Sequence, residues 1–128
     1  MSTFRPTREK RVCVLNFDDK FHYELSLHEE TLQKITSVSD QQIKALEAIR
    51  PDNPDALNDA YNMTLDALDE ILGEGAGADI MSLYDKPGLF DVADVITYIG
   101  NEYRAAYAEQ LGNQKAAGLN REMRRGRR

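Results

Sequence analysis

Residues 68–99 read LDEILGEGAGADIMSLYDKPGLFDVADVITYI, and this stretch decides the fold. It parses as the end of one helix, a glycine-rich break, a short helix, a second break and the start of a long helix. Gly73, Gly75 and Gly77 fall within five residues. A phosphate-cradling loop would need a Lys followed by Ser or Thr after the last glycine, or a strand before the first. Neither is present, and Glu70, Glu74 and Asp79 would repel a phosphate. The glycines are therefore read as structural. Gly73 is expected to end a helix in the left-handed conformation, with Gly75 and Gly77 shaping a corner. Lys86-Pro87-Gly88 makes the second break.

Upstream, residues 11–25 alternate. Cys13, Leu15 and Phe17 share one face, and Phe21, Tyr23 and Leu25 follow after Asp18-Asp19. Two such runs around a polar turn predict a β-hairpin. Ser26-Leu27-His28-Glu29 fits a capping box, with Ser26 as the cap. Leu27, Leu32, Ile35, Val38, Ile43, Leu46 and Ile49 then recur at mainly helical intervals. A bend is expected near residues 37–40, where side-chain hydroxyls compete with the helix. Asn53-Pro54 restarts the helix as cap and first residue. Its buried stripe is read as Leu57, Tyr61, Leu65, Leu68, Ile71 and Leu72.

The last long helix places Leu89, Val92, Ala93, Ile96, Ile99, Gly100, Tyr103 and Tyr107 on one face. Gly100 there predicts close packing against a neighbour. Beyond Leu111 apolar residues thin out. The expected fold class is α+β, mainly α: an N-terminal hairpin followed by three to four helices. The expected division is a flexible N-terminus at 1–10, one globular domain at 11–110 and a flexible basic tail at 111–128.

The net charge of −6 hides three zones. Residues 1–11 balance to +3 and residues 111–128 to +5, which leaves −14 on residues 12–110. An acidic body argues against nucleic acid across its face and for a basic or neutral partner. No run approaches the roughly 20 apolar residues of a membrane span, and MSTFRPTREKR lacks the apolar core of a signal peptide. The lone Cys13 fits a reducing compartment.

Chemistry is hard to build from these residues. His22 and His28 match no zinc spacing. Asp66, Asp69, Glu70, Glu74 and Asp79 have no evident pocket to separate their pKa values. Cys13 has no assignable base. No catalytic residue, metal or cofactor is expected. Tyr61, Tyr84, Tyr98, Tyr103 and Tyr107 cluster on the later helices, and tyrosine favours interfaces. With a marginal hairpin whose edge is free, they predict self-association into a homo-oligomer.

The order Ile71-Leu72-Gly73-Glu74-Gly75-Ala76-Gly77, a short helix, Lys86-Pro87-Gly88 and a helix containing Ile96-Thr97-Tyr98-Ile99 resembles the tail assembly chaperones of long-tailed phages of Gram-positive bacteria. The resemblance reaches the hairpin upstream and the basic end 120–128 downstream, a segment with which that family often ends. It rests on element order, not on a catalytic signature. It implies a short-form chaperone that keeps the tape measure protein soluble while the tail tube forms. The tail tube protein and a frameshifted longer form of the chain are further implied partners. The implied location is the cytoplasm of the infected or lysogenic host, outside the mature virion. A tape measure protein is a long helix with apolar stripes, so helix-in-groove binding is expected. The groove is placed between residues 53–72 and 89–107. Its residues are Tyr61, Leu65, Leu68, Tyr98, Tyr103 and Tyr107, beside the acidic Asp66, Asp69 and Glu70. The rivals are a head–tail connector, which would remain in purified particles, and a small regulator using the basic tail, whose DNA binding would be salt-sensitive.

Overall fold

The structure is a computed structural model. It describes residues 3, 4, 6 and 11–125, leaving aside the side chains of 120–125. The expectation for residues 1–10 falls largely outside these. The chain forms strands β1 (Val12–Phe17) and β2 (Phe21–Ser26), then helices α1 (Glu29–Ala48), α2 (Pro54–Leu72), α3 (Ala76–Met81) and α4 (Leu89–Arg125). This is the expected mainly helical α+β fold, with four helices.

The strands pair antiparallel with Leu15 opposite Tyr23 and Phe17 opposite Phe21. Asp18 and Asp19 both take positive φ, 53° and 55°, and Lys20 N–H donates to the Phe17 carbonyl at 3.0 Å. Two left-handed residues match the twist of the flanking strands. The alternation puts Cys13, Leu15, Phe17 and Leu25 in the core and leaves Val14 57% exposed. One hairpin cannot bury its own apolar face, so α4 lies across it. Phe17 meets Tyr98 edge-on at 5.3 Å between centroids. The core continues through Ile35, Val38, Leu68, Ile80, Val92, Val95, Ile96, Ile99 and Tyr103. Burial pushes the Cys13 thiol up, and the charge of Glu102 adds to the shift. The thiolate needed for nucleophilic chemistry is thus disfavoured.

Several local expectations change. The capping box at Ser26 does not form, because Ser26 is held in β2 opposite Val12. His28 caps α1 instead, its Nδ1 accepting from Glu30 N–H at 3.1 Å. Helix α1 is one helix through residues 37–40, as expected, and Ser39 turns its hydroxyl back onto the Ile35 carbonyl, the local competition expected there. Asn53 caps α2 as expected, accepting from Ala56 N–H at 3.2 Å. Gly88 opens α4, its N–H donating to Asp91 Oδ2 at 2.8 Å. The second break draws its positive φ from Lys86, at 54°, with Pro87 following.

The glycine cluster is structural, but its parts differ from expectation. Gly73 ends α2 with φ 118° and ψ 158°. This is a mirror-image extended conformation that side chains resist, not the left-handed helical one. The left-handed residue is Gly75, at φ 84° and ψ −7°. Gly77 lies inside α3 and is required by space. A Cβ there would sit 2.9 Å from the Leu65 carbonyl oxygen and 3.1 Å from Asp69 Oδ1. Its N–H donates to that same carboxylate at 2.8 Å. Gly100 is buried, and the three atoms nearest a Cβ there all belong to the Arg104 guanidinium of its own helix, at 3.0–3.6 Å.

Residue 111 is no boundary of secondary structure. Helix α4 runs on to Arg125, through Gly112 and Gly118. What stops there is burial, since residues 111–119 are all exposed.

Candidate functional site

The residues expected to face a partner differ in exposure. Leu68 and Tyr103 are fully buried. Leu65 is half-buried, with its carbonyl and side chain against Gly77. Asp69 is held by Gly77 N–H, whereas Asp66 and Glu70 are exposed on α2. Tyr61 and Tyr107 are half-buried and pack on the core.

Two tyrosine hydroxyls serve the hairpin. Tyr98 Oη accepts from Asn16 N–H and donates to the Asn16 carbonyl, both at 3.2 Å. It thus occupies the place a further strand would take beside Asn16. Tyr103 Oη accepts from His28 N–H at 3.0 Å and donates to the Ser26 carbonyl at 2.7 Å. These bonds pin the passage from β2 to α1 onto α4. Between α2 and α4, Leu68 and Tyr103 belong to the core, while Tyr61, Leu65, Tyr98 and Tyr107 remain half-buried.

The strongest open feature lies between α1 and α2. It is a groove of about 250 Å³, floored by Val38 and the small residues Ala45, Ala56, Ala60 and Ala67, with Gln42 and Thr64. Met63, 68% exposed, stands at its lip with Asp59. Small residues at positions 56, 60, 64 and 67 lie on one face of α2 and allow another backbone to come close.

Gln42 is the unusual member. It is only 6% exposed, and its Nε2 has no hydrogen-bond partner. Its Oε1 lies 2.8 Å from Thr64 Oγ1, which also lies 2.7 Å from the Ala60 carbonyl. One hydroxyl proton cannot serve two acceptors fully. Whichever way the amide is turned, one of its heteroatoms lacks a partner. Leaving such a group unmet costs about 1–3 kcal/mol, which calls for a reason at this position.

The sequence reading missed Gln42 because it assigned Ile43 to the stripe. Ile43 is 56% exposed. The true stripe steps from Ile35 to Val38, Gln42 and Ala45, by three, four and three residues, whereas Ile43 is five from Val38. The spacing therefore carried the signal, and residue type obscured it.

Asp59 is the charged residue among those lining the groove. Helix α2 carries Asp55, Asp59, Asp66, Asp69 and Glu70 and no Lys or Arg. A second hollow, of about 350 Å³, lies between the hairpin turn, α3 and α4, with Phe17, Ile80, Leu83 and Val95 below Asp18, Asp94 and Tyr84. Among the described residues it has no buried side-chain atom without a partner. Among the described residues, no group of three His, Cys, Asp or Glu could hold a metal ion, and no helix is long and apolar enough to cross a membrane. No protein-family model, curated protein or solved structure matches the chain.

Proposed function

We propose that this protein is a phage tail assembly chaperone that binds helical segments of the tape measure protein in the groove between α1 and α2. The observation that carries the reading is the buried, unmet Gln42 amide in a small-residue groove beside the acidic α2. A client helix with small and apolar residues would fill the groove. A polar group on it would meet the Gln42 amide, and basic residues would be drawn by the −14 body. The family resemblance supplies the client's identity. Binding takes place in the host cytoplasm before assembly ends, and the chaperone is left out of the virion. The protein acts by binding, not catalysis.

The test is Gln42→Met, a near-isostere without the amide. The free protein should become more stable by about 1 kcal/mol, because a desolvated polar group is removed. Its affinity for a soluble tape measure fragment, measured by calorimetric titration, should fall about tenfold. Unchanged affinity would remove Gln42 and its groove from the reading. If the wild-type protein does not bind the fragment at all, the chaperone assignment fails.

A further inference from the structure

Helix α4 outruns the body it belongs to. Residues 111–119 are all exposed, with Leu111 at 48% and Leu119 at 59%. Two glycines lie within this helical stretch, and a Cβ at Gly112 or Gly118 would meet nothing within 4 Å. Each glycine costs about 1 kcal/mol against alanine in a helix interior. Nothing in the chain's own packing requires them. Gly118 leaves room for something outside the chain to come close on its side of the helix. Leu111, Gly118 and Leu119 lie on one stripe, spaced by seven and eight residues.

The groove between α1 and α2 is the complementary surface. It has small residues on its floor and an unmet amide at Gln42. Asp59 lines it, on a helix that carries five carboxylates in all and no basic residue, whereas residues 111–128 balance to +5. Residues 111–125 span about 22 Å as a helix, enough to cover the stretch of α2 from Ala56 to Ala67 that lines the groove, about 17 Å.

We infer that the end of α4 from a second copy docks in this groove, linking copies head to tail. The two surfaces differ, so the contact is heterologous and builds rings or open chains, not a symmetric pair. Symmetric pairing through β1 is disfavoured. The Tyr98 hydroxyl already occupies both backbone groups of Asn16, and only Val12 and Val14 remain to offer outward groups along that edge. The inference rests on the groove proposed above, which a second copy and a client would occupy in turn, so its test is run without a client.

The experiment is sedimentation equilibrium on three forms of the chain, from about 1 to 200 μM. The wild type should rise in mass with concentration, and association should weaken at least tenfold between 50 and 500 mM salt. Truncation after Leu111, which removes the docking helix, should be monomeric. Ala60→Arg, which blocks the groove, should also be monomeric, with each form's melting checked separately. Mixing these two should give a 1:1 dimer that cannot grow, because one supplies the groove and the other the helix. A monomeric wild type at 200 μM would overturn the inference. So would a truncated chain that associates like the wild type, or a mixture that forms no complex.

Discussion

Replacing Gly77 by valine should lower stability by about 3 kcal/mol, the upper part of the range for forcing atoms into a packed site. A Cβ at this position would lie 2.9 Å from a backbone oxygen, that of Leu65, and could be relieved only by moving α3 off α2. It would also crowd Asp69 Oδ1, which now accepts from the Gly77 N–H. The relevant contrast is Gly73→Ala, where nothing lies within 4 Å and only the positive φ resists. That change should cost about 1–2 kcal/mol. Urea denaturation of both variants checks the order. If Gly73→Ala proves the more costly, backbone strain outweighs close approach at this corner.

Tyr103→Phe should cost about 2–3 kcal/mol while leaving the packing volume almost unchanged. The hydroxyl is fully buried, and its loss leaves His28 N–H and the Ser26 carbonyl without their partner. For a chain of this size the thermal midpoint should drop by about 10 °C. The pH dependence gives a second signature. Burial pushes the Tyr103 phenol above its ordinary value of 10.0. A raised folded value means the native state holds the proton more tightly than the unfolded chain. The stability this contributes is fully present below pH 10 and is lost as pH rises through the folded value. Burial also raises Tyr23 and Tyr84, so alkaline loss should be reduced in Tyr103→Phe but not abolished. Urea midpoints between pH 8 and 11 make the comparison. An unchanged thermal midpoint would show that the passage from β2 to α1 is held by other contacts.

The fold was legible where side-chain period and backbone chemistry agreed. Cys13, Leu15 and Phe17 announce a half-buried strand by alternation, and all three are buried. Asn53-Pro54 announces a helix start, and the cap forms. Legibility ended where one residue had two possible uses. Ser26 could cap a helix or extend a strand, and pairing with Val12 took it. The tyrosines could form an interface or bond to backbone, and sequence does not say which backbone groups α4 will cross. Tyr98 and Tyr103 reach Asn16, Ser26 and His28, more than 70 positions away in the chain.

The groove proposed between α1 and α2 is hard to see in the sequence for a related reason. Leu65, Leu68 and Tyr103 looked like a surface because their helices carry the largest apolar residues, but those residues fill the core. Alanines and one glutamine make the open groove, and neither type stands out in a hydropathy pattern. The end of α4 was read as a flexible tail because its apolar content is low. Its helical course depends on continuity with residues 89–110 and not on burial.

The central claim is that a client helix is held between α1 and α2. It is tested most directly by co-expressing an aggregation-prone tape measure fragment with wild-type protein and with Ala60→Arg. The guanidinium would fill the groove floor beside Thr64 and Gln42. Ala60 is half-buried at the groove, outside the main core, so the thermal midpoint of the variant should stay within a few degrees of the wild type. The account predicts that wild-type protein keeps most of the fragment in the soluble fraction, and that folded Ala60→Arg leaves it in the pellet, as in cells without this protein. Equal protection by the two proteins would contradict the groove, and a fragment left insoluble by the wild type would contradict the function.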